Sequence, residues 1–255
     1  QALHEFMPMS PTDWSGTVLF EALFASGERI RETIIRDRNW QSYVSSHPLP
    51  PPVITAMLVA EPSERQVIGN DLVNDEVVSD VAMTVASFDN HRLVCLGSSE
   101  ASTRRRLKRR AFDYLQVLAL GRITRRKQRR KDLMIHRRAL QASLDMHSRK
   151  SAMTAILADQ QMLRQKIEKV DAELATLGAD DTVVQQHLQI ISDTLGNAEK
   201  HLWLDNRTLF LDSMNTIRQP DHPKASEIAL QCLKDSTERR FAVQLVRLSP
   251  DAFRS

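Results

Sequence analysis

The feature that most constrains the fold is a stretch of 56 residues, 122–177, that contains neither proline nor glycine. Proline breaks helices and glycine weakens them, so the absence of both favours continuous helix. No proline occurs between Pro62 and Pro220 either. Ser98, Ser99 and Glu100 offer a hydroxyl cap and a negative charge at a helix start. The sequence therefore predicts long helices over residues 99–177.

A single helix over this span would be roughly 115 Å long at 1.5 Å per residue, which exceeds any ordinary globular element. The apolar stripe lapses at residues 145–151, so we predict a turn there and an antiparallel helical hairpin. A turn centred near residue 149 makes three acids face the basic first helix: Glu168 opposite Arg130, Asp171 opposite Lys127, and Glu173 opposite Arg125.

The second half of the span carries an apolar residue at alternating steps of four and three, which is the seam of a coiled coil. Gln160 is the one polar member of the seam. Such a seam predicts contact with a partner helix or self-association of the chain. Its apolar members are Ile156, Leu163, Ile167, Val170, Leu174 and Leu177.

The flanking regions have different patterns. Residues 1–16 predict a flexible lead-in, and residues 17–98 predict a mixed region of helix and strand, in which Val77, Val81 and Val85 favour a helix. Residues 178–255 predict a short helix and a small antiparallel sheet, because apolar residues alternate between 201 and 249. The predicted fold is mainly α with a smaller β part (α+β): a long antiparallel helical hairpin or coiled coil, 99–177, between a helical N-terminal region and a small C-terminal sheet.

Charge is strongly segregated along the chain. Residues 104–138 hold fifteen lysines or arginines against two aspartates, a net charge of +13, although the whole chain carries only +3. Residues 61–100 form an acidic stretch with eight acids against two arginines. Basic cluster 1 comprises Arg104, Arg105, Arg106, Lys108, Arg109 and Arg110. Basic cluster 2 comprises Arg122, Arg125, Arg126, Lys127, Arg129 and Arg130.

These clusters need a negative partner. On a helix they, with Lys131, create seven like-charged pairs four residues apart, each costing about 0.2 to 0.5 kcal/mol at low salt. One hypothesis is a non-enzymatic module whose basic arm contacts nucleic acid or another polyanion. Because few aromatic or amide side chains lie nearby, such contact would not read base sequence. The alternative is a coiled-coil adaptor in a multiprotein assembly, with the clusters neutralised by the acidic stretch or by an acidic protein surface.

Patterns for catalysis or cofactor binding are weak. The seven glycines do not form a phosphate-binding loop, and the eight histidines show no metal-ligand spacing, so we predict no cofactor, metal or catalytic residue. An enzyme with a site dispersed along the chain stays a third possibility. Two cysteines and the lack of an 18-residue apolar run predict a cytoplasmic protein without a transmembrane segment.

Overall fold

The chain divides into two compact units in a computed structural model. The structure describes residues 3, 5–12, 17–73, 76–149, 154–178 and 183–253; the side chains of 70–73, 76–78, 149 and 154–158 lie outside this description. Unit 1 comprises Gln1–Ala111 and Glu199–Ser255, and unit 2 comprises Phe112–Ala198. Unit 2 is therefore inserted into the sequence of unit 1.

Unit 1 is organised by a six-stranded sheet. Its strands are β1 Met7–Pro8, β2 Ile54–Val73, β3 Glu76–Gly97, β4 Leu202–Leu211, β5 Ser226–Asp235 and β6 Arg240–Leu248. They lie in the order β3-β2-β6-β5-β4, with antiparallel neighbours, and the short β1 pairs in parallel with β6. The middle strand of the order, β6, joins the β2–β3 hairpin to the β4–β5 hairpin.

β2 pairs with two neighbours over only part of its length. Ile54 to Ala60 pair with β6 on one side and, with register shifts, with β3 on the other. Beyond Ala60 the described part of β2 pairs with β3 alone, so the two strands continue as a two-stranded ribbon. Pro62 lies in this ribbon. Proline is tolerated there because a strand edge without a neighbour needs no amide donor.

The predicted fold class is wrong. Strands make up 30% of the structure, and they form one large central sheet rather than a small C-terminal one. The helix predicted at Val77, Val81 and Val85 is part of β3. A spacing of four is close to a helical turn, but it is also even, so Val81 and Val85 share one face of the strand. Their branched side chains favour the strand.

Three short helices pack on one face of the sheet: α1 Val18–Leu23, α2 Gly27–Arg36 and α3 Arg38–Ser46. In the sequence, the roughly helical spacing of apolar residues over 18–35 predicts a single helix that ends before His47. Two N-caps divide it, because the Ser26 side chain accepts from the Arg29 amide at 3.1 Å and Asp37 accepts from the Trp40 amide at 2.8 Å. The buried side chains between these helices and the sheet include Phe20, Phe24, Ile30, Ile34, Leu58 and Leu93.

The opposite face of the sheet is covered by the N-terminal segment and by the start of a long helix, α4, which runs over Glu100–Arg149. Phe6 is buried there, and Leu107 packs against the same apolar cluster. The sheet contributes Met57, Val59, Val94, Val243 and Leu245 to this second core. Apolar burial therefore fixes which side of the first turns of α4 faces the protein.

Unit 2 contains the remainder of α4, followed by α5 Thr154–Thr176 and α6 Val183–Gly196. Ion pairs join α4 to α5, from Arg129 to Glu173 and from Arg137 to Asp171. The turn predicted at 145–151 falls partly outside the described residues, since α4 is helical to Arg149 and 150–153 are not described. No helix in the described ranges is long and apolar enough to cross a membrane.

Candidate polyanion-binding surface

Basic cluster 1 lies on the first three turns of α4, within unit 1. The helix is fixed to the sheet by Thr103, whose side chain is fully buried and donates to the Thr55 carbonyl at 3.0 Å. At its first residue, Glu100 forms an ion pair with Arg247 at 2.6 Å. Leu107 faces the second core. The side of the helix away from these anchors is therefore the side that meets solvent.

Three members of basic cluster 1 have partners in unit 1. The Arg104 guanidinium lies 5.2 Å from the ring centroid of Phe6, which is a cation–π distance. Arg106 donates to the backbone carbonyl of Leu96. Arg106 and Arg110 both lower the pKa of the Cys95 thiol, although burial raises it by more, so the net shift is upward. Arg106 therefore contacts β3 and Arg104 contacts the N-terminal segment, while Arg106 and Arg110 are themselves exposed.

The other three members form one exposed face. Arg105, Lys108 and Arg109 are exposed, and their spacing of three and four residues places them together on the helix surface. Among the described residues, no acid lies within 4.0 Å of any cation in basic cluster 1. This face therefore carries three positive charges without a salt bridge in the described chain.

The acidic stretch does not neutralise basic cluster 1 where its side chains are described. Glu64 pairs with Arg207 at 2.5 Å, and Glu61 accepts from Asn90 at 2.8 Å. Glu100 pairs with Arg247, as described above. Asp71, Asp75 and Glu76 lie outside the described side chains. Glu61, Glu64 and Glu100 therefore pair with side chains of the sheet and not with basic cluster 1.

Basic cluster 2 lies entirely in unit 2 and has more internal partners. Arg129 donates to Glu173 from both Nη2, at 2.5 Å, and Nε, at 3.0 Å, and the two donors share one carboxylate oxygen. Arg122 donates to the Thr194 hydroxyl at 3.0 Å. Arg126 donates to the Thr176 carbonyl at 3.3 Å. Arg125 and Lys127, by contrast, are exposed.

The predicted pairing of Asp171 with Lys127 and of Glu173 with Arg125 does not occur. Glu173 contacts Arg129, and Asp171 contacts Arg137. Glu168 is exposed, and Arg130 is half-buried. Both acids therefore contact an arginine further along α4 than predicted, by four positions for Glu173 and by ten for Asp171.

The predicted partner-helix seam lies on α5, and its Ile156 side chain is outside the described residues. Val170 is buried, and the other members are half-buried: Leu163, Ile167, Leu174 and Leu177. Asp171 and Glu173, beside Val170, contact α4. A role of this seam in binding a partner helix stays a prediction.

Unit 1 also contains a cleft of about 950 Å³ that sequence reasoning missed. It is lined by α1, α2, residues 85–91 of β3 and the segment 211–215, which are too far apart in sequence to show a common pattern. His91 lines it and stacks on Phe24 at 4.4 Å between ring centroids. Its Nε2 is buried without a hydrogen-bond partner among the described residues. Because that nitrogen is closed to solvent, a ligand in the cleft does not reach it.

The other reactive residue types offer little chemistry. Both thiols are free, and burial raises the pKa of Cys95 and of Cys232, which disfavours the nucleophilic thiolate. Within the described ranges, no cluster of histidine, cysteine or acidic side chains has the arrangement of a metal site. No protein-family model matches the chain, and neither the curated proteins nor the solved structures contain a match.

Proposed function

We propose that the protein binds the phosphate backbone of nucleic acid through the exposed face of Arg105, Lys108 and Arg109, without reading base sequence. The supporting observation is that these three cations lie on one helix face and have no acidic partner among the described residues. Lysine and arginine bind phosphates through charge and release counterions from the nucleic acid, which needs no particular spacing of side chains. We also propose that the protein acts in the cytoplasm.

The anchoring of this helix on the sheet supports the proposal. The like-charged pairs, Arg105 with Arg109 and Arg105 with Lys108, repel one another by about 0.2 to 0.5 kcal/mol each at low salt. The buried Thr103 and the Leu107 contact hold the helix in place nevertheless. A bound phosphate removes this repulsion. The face has no amide side chain to pair with adenine, and we expect its cations to contact the phosphates, which are the same in every sequence.

The test is the salt dependence of binding to two unrelated duplexes. Three neutralised phosphates give a slope of about −2.7 in log affinity against log salt, so affinity falls roughly 40-fold between 50 and 200 mM salt. The variant R105Q/K108Q/R109Q should lose most of the binding and of this slope. The matched control R31Q/R36Q/R38Q removes three charges from α2 and α3, on the opposite face of the sheet, and should bind like the wild type.

Equal losses in both triple variants would show that net charge alone matters and would contradict the proposed face. An acidic protein surface is the competing partner, since it offers the same cluster a similar charge. Poly-glutamate is the probe for it. Binding of poly-glutamate that matches duplex binding at equal charge would favour the adaptor hypothesis over nucleic acid.

A further inference from the structure

The loop between α3 and β2, residues 47–53, is the most proline-rich part of the chain. It reads His-Pro-Leu-Pro-Pro-Pro-Val and contains four of the ten prolines. Proline fixes φ at about −65° and restricts the preceding residue to extended conformations. Pro50 and Pro51 are themselves followed by proline, so both of their backbone angles are restricted to polyproline II values. The sequence alone therefore makes the centre of this loop a stiff polyproline II segment.

Both ends of the loop are anchored in unit 1. The His47 ring stacks on the Tyr43 ring at 4.3 Å between centroids, and His47 Nδ1 lies 2.8 Å from the Tyr43 carbonyl oxygen. Tyr43 and Ile54, on either side of the loop, are buried. The chain bends at residues 48–49 and 52–53, next to these anchors, and is straight between them. The proline segment is therefore held at both ends.

The loop presents apolar side chains to solvent. Leu49 is 93% exposed and Val53 is 42% exposed. Pro48 and Pro52 are exposed as well. Because polyproline II has three residues per turn, Leu49 and Pro52 lie on the same side of the segment. This exposed side is apolar, although the loop lies at the protein surface.

The backbone of the loop offers hydrogen-bond acceptors. Proline has no amide hydrogen, so residues 48–52 contain five carbonyls but only one N–H group, that of Leu49. In the described part of the chain, none of these carbonyls accepts a backbone hydrogen bond. Tryptophan and tyrosine combine an apolar ring with one donor. A partner surface lined by these two residue types therefore suits both the apolar side chains and the carbonyls of the loop.

The charge pattern narrows the kind of partner. No lysine or arginine occurs between Arg38 and Arg65. The sequence beside the loop therefore offers no cation to an acidic pocket, and a groove that reads only prolines and an apolar side chain fits better. Aromatic-lined grooves of this kind bind proline-rich segments, whose stiffness lowers the entropy lost on binding.

We propose that the loop 47–53 binds the aromatic-lined groove of a proline-recognising domain in a partner protein, of the kind found in WW domains. Leu49 and Pro52 fill the groove, and the carbonyls of the loop accept from its tryptophan and tyrosine side chains. This inference goes beyond nucleic-acid binding by basic cluster 1 and does not depend on it.

The test adds the full chain to an isotope-labelled WW domain that reads leucine and proline without a charged flank, and follows the domain by NMR. We expect saturable 1:1 binding, with shifts confined to the aromatic groove. L49A/P52A should weaken this binding at least 10-fold. The matched control M214A/P220A removes an exposed apolar side chain and an exposed proline from another loop of unit 1, and it should change binding less than 2-fold.

Two further variants and one stability measurement keep the result decisive. P50A/P51A leaves Leu49 and Pro52 in place but loosens the backbone, so it should weaken binding at least 3-fold. L49A/P52A should unfold close to the wild-type urea concentration, since both side chains are exposed, which separates loss of the contact from loss of the fold. R105Q/K108Q/R109Q should bind the WW domain like the wild type, so failure of the nucleic-acid proposal leaves this measurement unaffected.

Three outcomes would overturn the inference: no saturable binding of the WW domain, equal losses in L49A/P52A and M214A/P220A, or self-association of the chain that L49A/P52A abolishes. Sedimentation velocity of the chain alone measures the third. Self-association of that kind would assign the loop to a second copy of this chain and not to a proline-recognising partner.

Discussion

Thr103 joins the basic helix to the sheet, and its replacement by valine tests that connection. The Thr103 hydroxyl donates to the Thr55 carbonyl at 3.0 Å and lies 2.8 Å from the Thr55 hydroxyl, which also donates to the Gly97 carbonyl at 3.1 Å. Both threonines are buried, with exposed fractions of 0% and 3%. Valine keeps the shape but removes the donor, leaving a buried polar group with fewer partners.

Loss of one buried hydrogen bond costs roughly 1 to 2 kcal/mol, or about a 5- to 30-fold change in the folding equilibrium constant. Thr55→Val should cost a similar amount. The double variant T55V/T103V removes both hydroxyls and should cost less than the sum by at least about 0.5 kcal/mol, since neighbouring groups in one network are coupled.

Urea unfolding followed by tryptophan fluorescence measures this cost. Trp14, Trp40 and Trp203 all fall within unit 1, and unit 2 has no tryptophan, so the signal reports the unit that contains the network. Thr33→Val is the matched control, because the hydroxyl of Thr33 donates to the Arg29 carbonyl one turn earlier, within the same helix. A cost for Thr103→Val no larger than that of Thr33→Val, together with additive effects in the cycle, would refute the reasoning.

Two further predictions concern the sheet and its loops. Burial lowers the pKa of His91 below its ordinary value of 6.5, so the folded state favours the neutral ring, and this stabilisation is lost as pH falls from 6.5 toward the folded-state pKa. His91→Phe should therefore lose less unfolding free energy between pH 7.5 and 5.5 than the wild type; an equal loss contradicts the assignment. Asp212 accepts from two backbone amides and from Arg218, each at 2.9 Å. In urea unfolding, Asp212→Asn should lose roughly 1 to 3 kcal/mol and the exposed control Asp89→Asn almost none.

The sequence contains enough information to place the start of α4 but not the sheet on which it packs. Ser99 precedes the helix, its side chain accepts from the Ser102 amide at 3.3 Å, and the helix begins at Glu100. This is a local signal, carried by adjacent residues. The pairing of β2 with β6, by contrast, joins Ile54 to Leu248, which are far apart in sequence and show only the same alternation. Alternation predicts strands but not their neighbours.

The candidate site shows the same difference between what adjacent residues predict and what depends on contacts between distant residues. The two basic clusters are visible in the sequence, because charge is a property of each residue. Which cations are free depends on where the acids lie in space, and the pairing of Glu64 with Arg207 joins strands that no pattern connects. The cleft beside His91 is lined by several segments that are far apart in sequence, so only the folded chain reveals it.

The position of β6 in the chain has a consequence for folding during synthesis. This strand is the middle one of the sheet, yet it follows all the others in sequence. About 140 residues separate Gly97 from Arg240, which takes about 7 to 30 s at the usual rates of translation. During that interval the inner edge of β2 has no partner, while the whole of unit 2 has been made. The nascent chain therefore holds an open, apolar strand edge at the ribosome until its last strand emerges, and this is the period in which a chaperone would protect it.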